Sequence, residues 1–178
     1  MNAHPEPWLR GTLGEVPAVI RAVLHALQLA HEDVHRWCDA LTEDELNARP
    51  AGLPSIAFQV NHIAGTLDRL LTYAEDRELS PVQVAKVEQE LDFHTSRDLL
   101  LQQFDVALDR SFSRIQAFTG ADLEQARAVG RKKLPTSLAG LLVHIADHTQ
   151  RHIGQMVTTA KVLLNGRPPD QHVPGPQL

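Results

Sequence analysis

The stretch HIADHTQRHIGQM, residues 144–156, spaces three histidines four residues apart and follows them with a Gly-Gln pair. At roughly 100° per residue in a helix, His148, His152 and Gln155 lie about 40°, 80° and 20° round from His144, on one face with Leu141. Imidazoles at i and i+4 can present nitrogens to one cation, so His148 and His152 supply two metal ligands and a third must come from another helix. His144 stands a further turn away, about 5–6 Å along the axis from His148, and one ion does not readily take all three.

The third donor that the pattern offers is His62, in AFQVNHIAG. Gln59, Thr66, Arg69 and Tyr73 fall on or near its stripe, an unusually polar one beside Ile63, Leu67 and Leu70. Polar groups on the inner side of packed helices are costly unless paired, and a bound metal with its supporting groups would pair them. Spacing alone leaves two readings open: a three-histidine metal site, or a set of hydrogen-bonded core histidines.

A second stretch, HEDVH at 31–35, spells the His-Glu-x-x-His pattern in which two histidines hold zinc and the glutamate activates water. The longer protease form needs a glycine and a third histidine downstream, where this chain has Cys38 and Leu41; the other form needs a glutamate on the following helix, and 53–74 contains none. The protease reading is therefore rejected. His31 and His35 read as core-edge histidines that could border the main site, and Glu32 as an outward residue.

Helices must position these groups, because β-branched alternation is missing and helical periodicity runs through most of the chain. The first helix is expected over 14–40, with Ile20, Val23, Leu24, Leu27, Val34, Cys38 and Leu41 as its apolar stripe. Thr42 and Glu45 form a capping-box pattern, and Pro50 and Gly52 break the chain. The second helix is expected over 55–76, capped by Ser55, with Ile56, Val60, Ile63, Leu67, Leu70 and Leu71 apolar. A long connection, 77–94, is expected to be partly helical in VQVAKVEQELDF and to cross over along the bundle. The third helix is expected over 96–118, with Leu99, Leu100, Phe104, Leu108, Phe112 and Ile115 inward, and the fourth over 136–164, stopping at Asn165-Gly166. No internal repeat is present. The fold class expected is all-α: one domain over 1–178, a four-helix bundle with loose or peripheral tails at 1–12 and 166–178.

Composition sets the surroundings. The 178 residues carry a formal net charge of −5, with ten histidines as the one oddity. Basic residues are scattered, and the single run, Arg131-Lys132-Lys133, reads as a solvated loop, so neither nucleic acid nor a membrane surface is expected as partner. One cysteine, Cys38, excludes an intrachain disulfide and fits a reducing compartment. MNAHPEPWLRG lacks the order of a signal peptide and no apolar run is membrane-length, so a soluble, cytoplasmic protein is expected.

On PSIAFQVNHIAG of the second helix and HTQRHIGQM of the fourth, with LTEDELNARPAG before the second helix, the sequence resembles the DinB/YfiT-like metalloenzymes. The resemblance spans nearly the whole chain and rests on the order and separation of short motifs. It implies a four-helix bundle in a variant up-and-down arrangement. It also implies a divalent metal, nickel or zinc, on His62, His148 and His152, and often a homodimer. Some such proteins are thiol transferases or isomerases using bacillithiol, mycothiol or glutathione, so a low-molecular-weight thiol is an expected co-substrate. His144 and HEDVH lie outside the pattern. The leading expectation is metal-dependent thiol transfer to a small electrophile, with Arg69 and Tyr73 against an anionic thiol and Gln155 bonded to a ligand histidine or the bound species. The alternatives are metal-assisted hydrolysis of a small molecule and a non-enzymatic metal-bound stress protein. Val143, Gly154 and Val157, on the fourth helix away from the histidine row, form the face expected at a dimer contact.

Overall fold

The architecture comes from a computed structural model that describes residues 5–90, 94–168 and 176. Six helices carry most of it: α1 (Ala18–Asp39), α2 (Glu43–Asn47), α3 (Ile56–Ala74), α4 (Pro81–Gln89), α5 (Arg97–Gln116) and α6 (Leu138–Asn165). Between α5 and α6 lies an antiparallel hairpin, β1 (Ala126–Val129) and β2 (Leu134–Ser137), with Ala126 opposite Ser137 and Val129 opposite Leu134. The fold is thus mostly helical, consistent with the expected all-α class, with one small two-stranded sheet added.

Local chemistry sets the helix starts. Thr42, Ser55, Ser80, Ser96 and Ser137 each cap the helix that follows, their hydroxyls accepting from a backbone N–H of its first turn. Each such cap contributes about 1 kcal/mol. Thr42 and Glu45 form the expected capping box, and Ser80 with Gln83 forms a second one. α1 starts later than its periodicity suggests, because Pro17 holds an extended ψ of 144° and the helix begins behind it. α6 likewise starts at Leu138 and not at Thr136, since Thr136 pairs with Arg127 in the hairpin.

The hairpin corrects the sequence expectation, which treated the segment after Phe118 as a break. Its strands are four residues long and one contains Pro135, so the strand signal is weak. It is held from outside: the buried Arg127 donates from Nε to the Ala74 carbonyl at the end of α3 (2.7 Å). The Arg131-Lys132-Lys133 run forms its turn, as a solvated loop should, with Gly130 and Lys133 at positive φ.

α1 and α3 each pack against both α5 and α6, so the order around the core is α1, α6, α3, α5. The expected stripes of α1 and α3 are buried throughout, in one contiguous apolar cluster with Leu138, Leu141, Leu142, Ile145 and Met156 of α6. On α5 the stripe runs through Leu100, Phe104, Leu108 and Ile115; Phe112 is half-buried and Leu99, one position off it, is exposed. The expected peripheral ends are partly tied down. Arg10 pairs with Glu32 on α1, and Arg167 with Glu45 at the start of α2. Residues 1–4, 169–175 and 177–178 lie outside the described residues.

Candidate metal site

α3 and α6 pack side by side, and this brings His62 to His148 and His152. The ring centroids are 5.2 Å apart for His62 and His148, 4.5 Å for His62 and His152, and 4.4 Å for His148 and His152. One ring nitrogen from each falls within 4.8 Å of the others.

Two of the rings are held from behind. Nδ1 of His152 donates to Oε1 of Gln59 (2.6 Å), whose Nε2 donates in turn to Oε1 of Gln155 (3.1 Å). A carboxamide oxygen only accepts, so the imidazole proton sits on Nδ1 and the Nε2 lone pair is left for a ligand. His62 is held similarly: its Nδ1 lies 2.7 Å from Oε2 of Glu90, the residue that caps the end of α4, and its Nε2 has the Thr66 hydroxyl at 3.4 Å. Such outer partners fix the tautomer and orientation of metal-binding histidines and raise their basicity.

Glu90 is a nearly buried carboxylate. Burial opposes its ionisation, but the bonds from His62 and from Arg69 (Nη1 to Oε1, 2.5 Å) outweigh that and hold its pKa below the ordinary value. It is therefore an acceptor at neutral pH, as the Nδ1–H of His62 requires. Arg69 is steadied by Thr66, whose Oγ1 accepts from Nη2 at 2.8 Å. Gly65 makes room for the pair: a Cβ there would stand 2.6 Å from Oε1 of Glu90 and 2.9 Å from Nη1 of Arg69.

Burial, reinforced by the neighbouring imidazoles, pushes the pKa of His148 down to about 4. Burial, with His62 and Arg151, does the same to His152, pushing it to about 4 against the opposing pull of Glu90. Both rings are neutral at pH 7, the form that a metal needs.

The sequence-derived residues divide accordingly. His62, His148, His152, Gln59, Gln155, Thr66 and Arg69 come together. Arg69 is engaged with Glu90 and Thr66. Tyr73, about 16 Å of helix beyond His62, packs half-buried against the core outside the cluster. The His144 ring lies 5.8 Å from that of His148 but is half exposed, with Nδ1 4.0 Å from the Asp147 carboxylate. Glu32 is taken up by Arg10, and His31 and His35 turn to Asp105 on α5 and not to His62. Glu90 was missed in the sequence. Its signal was the Ser80-Pro81 start with Gln83 three residues after the cap, which announces a helix in the connection but not the carboxylate at its far end.

The sequence profile of the DinB superfamily matches residues 26–156, and the chain belongs to that superfamily. The match contains all three histidines and both of their outer partners. Among solved structures, one described as a conserved protein from Enterococcus faecalis superposes with a TM-score of 0.59 at 19% identity, covering 83% of this chain and 98% of that one. At that identity the likeness establishes the fold. No curated protein matches the sequence. Among the described residues, no helix is long and apolar enough to cross a membrane.

The donor set suits a divalent transition metal. Imidazole nitrogens favour zinc, nickel and copper over magnesium or calcium. Two of the three rings present Nε2 with Nδ1 already bonded, and two resist protonation near neutrality.

Proposed function

We propose that this DinB superfamily chain holds one divalent ion, nickel or zinc, on His62, His148 and His152, and transfers a low-molecular-weight thiol to a small electrophile. The observation that carries the reading is the convergence of three imidazoles from two helices, with Glu90 and Gln59 fixing two of them from behind. When bound, an ion on three neutral ligands keeps its charge and an open position, and lowers the pKa of a thiol or water there.

The chain's own groups do the rest. Glu90 and Gln59 keep the donor nitrogens in place. A cleft of about 960 Å³ between α3, α4 and α5 adjoins the Glu90–Arg69 pair, and Lys86 and Arg110 line it beside polar Gln83 and Gln102. This suits a small anionic molecule such as a carboxylated thiol. In the reaction the sulfur–carbon bond forms as a halide leaves or an epoxide C–O bond opens, and the thiol proton passes to solvent or to the opened oxygen.

The same reading takes the four long helices as a variant up-and-down four-helix bundle forming one domain, with α4 inside the crossover, and the protein as cytoplasmic. It also takes the protein as a homodimer through the outer face of α6. There Val143 and Gly154 are exposed, and a Cβ at Gly154 would meet nothing within 4 Å, while Val157 is half-buried against the core. A monomer by light scattering would remove the dimer and leave the metal site standing.

The test is metal analysis of protein purified without chelator, followed by assay of glutathione, mycothiol and bacillithiol against an epoxide and a haloaromatic. Metal at the three-histidine site and a metal-dependent rate, both lost in His152→Ala, are expected. Metal-dependent ester or amide hydrolysis without thiol would replace transfer by hydrolysis. Bound metal with neither activity would leave a metal-bound stress protein.

A further inference from the structure

The α1–α5 seam carries a second cluster that shares no residue and no helix with the first. His31 and His35, one turn apart on α1, have ring centroids 4.5 Å apart. Nε2 of His35 lies 2.8 Å, and Nε2 of His31 3.2 Å, from the same Asp105 oxygen, Oδ1, on α5. The three donor atoms fall within 4.8 Å of one another. We propose that His31, His35 and Asp105 form a second divalent-metal site, of the zinc class, that clips α1 to α5.

The geometry admits a cation with little movement. Bonds of about 2.0 Å in a tetrahedral zinc site put neighbouring donors about 3.3 Å apart. The His31–Asp105 separation is already within about 0.1 Å of that, and the His35–Asp105 one needs about 0.5 Å of opening. A side chain as exposed as Asp105 (39%) gives such a shift without disturbing the core. Without metal, Nε2 of His35 is hydrogen-bonded to Oδ1 of Asp105, while Nε2 of His31 stands at 3.2 Å from the same oxygen as an ion-pair contact. A cation would take both nitrogen lone pairs and that oxygen at once. Two imidazoles and a carboxylate suit zinc, nickel or copper, and leave a position to solvent.

The surroundings leave the cluster free for this. Glu32, between the two histidines in sequence, is held by both terminal guanidinium nitrogens of Arg10, at 2.5 and 2.8 Å. It does not act as the water-activating base that HEDVH suggests. The site is open, with His31 47% and His35 33% exposed, so its metal would exchange with solvent more readily than one at His62.

Zinc titration of the full chain by equilibrium dialysis and metal analysis separates the two sites. The wild type is expected to take up two zinc ions, and the His31→Ala/His35→Ala variant one. Asp105→Asn, nearly isosteric and so secure in folding, should also take up one. The triple variant His62→Ala/His148→Ala/His152→Ala should keep one, abolished by adding Asp105→Asn. Cobalt loading of the triple variant should give a visible d–d spectrum that Asp105→Asn removes. Unchanged stoichiometry in both the double histidine variant and Asp105→Asn overturns the proposal, and so does a triple variant that binds nothing while remaining helical by circular dichroism. Because the triple variant lacks the first site, a failure of the thiol-transfer reading leaves this result unaffected.

Discussion

Nδ1 of His152, on α6, lies 2.6 Å from Oε1 of Gln59, a wholly buried side chain on α3. The contact joins the two helices and selects the ring nitrogen that faces the cluster. Gln59→Ala should leave the imidazole N–H without its partner and cost about 1–3 kcal/mol of stability. Metal affinity should fall by roughly 10- to 100-fold. Thermal melts of stripped protein and a competitive zinc titration read the two effects separately; affinity unchanged within twofold would show that the amide does not orient the ligand.

Glu90→Gln tests the other support. The amide keeps the shape but loses the charge that Arg69 and His62 share, and as an acceptor it is weaker. Metal affinity should drop by roughly tenfold or more, with a smaller loss in Glu90→Asp. A variant that binds metal as the wild type does would reduce Glu90 to a structural anchor for Arg69.

His144→Ala should leave metal content and affinity unchanged. Its ring touches that of His148 but is half exposed and one turn too far along α6. Loss of metal in this variant would place His144 among the ligands at the expense of His62.

Acid should loosen the junction between the end of α6 and the start of α2. Bonds from Arg167 (2.7 and 2.6 Å), against some opposing burial, push the Glu45 carboxyl down to about 2 from its ordinary value of 4.5. A carboxyl whose folded pKa is depressed stabilises the fold above its unfolded pKa, and that stability is lost as the proton returns. The contribution should be complete above about pH 4.5 and fade between there and about pH 2. Glu45→Gln should therefore melt lower than the wild type at about pH 6, and the gap should close towards about pH 2. A constant gap would assign the effect to packing.

Cys38 should resist alkylation in the native protein. It is fully buried, and burial pushes its thiol up to about 12, so almost no thiolate forms near neutrality. Labelling by iodoacetamide should follow unfolding in urea. Fast labelling of folded protein would place the α1 stripe closer to solvent than its packing shows.

How far these features are readable from the sequence depends on whether they are local. The long helices were, because Ile56, Val60, Ile63 and Leu67 repeat at helical spacing and Ser55 marks the start. His148 and His152 were, because one turn of α6 separates them. His62 needed the added observation of a polar stripe. Glu90 was not legible: it reaches His62 from the end of α4, 28 residues along the chain, through folding alone. The hairpin was hidden for a related reason, since Arg127 and the end of α3 hold strands whose own residues specify little. HEDVH was legible only in part. Its spacing placed two histidines together, but their common partner, Asp105, lies on another helix.

Gly65 ties one position of α3 to another on α4. A methyl group at 65 would take the volume of the Glu90 carboxylate and the Arg69 tip, and both would have to shift from their present contacts to admit it. Across relatives, a larger residue at the position of Gly65 should accompany loss of the acid at that of Glu90, and the acid should return only where glycine does. Within this chain, Gly65→Ala should impair metal binding about as much as Glu90→Gln, and combining them should add little. The covariation would make residue 65, which has no side chain of its own to offer, a marker in sequence for whether the histidine at 62 is held from behind.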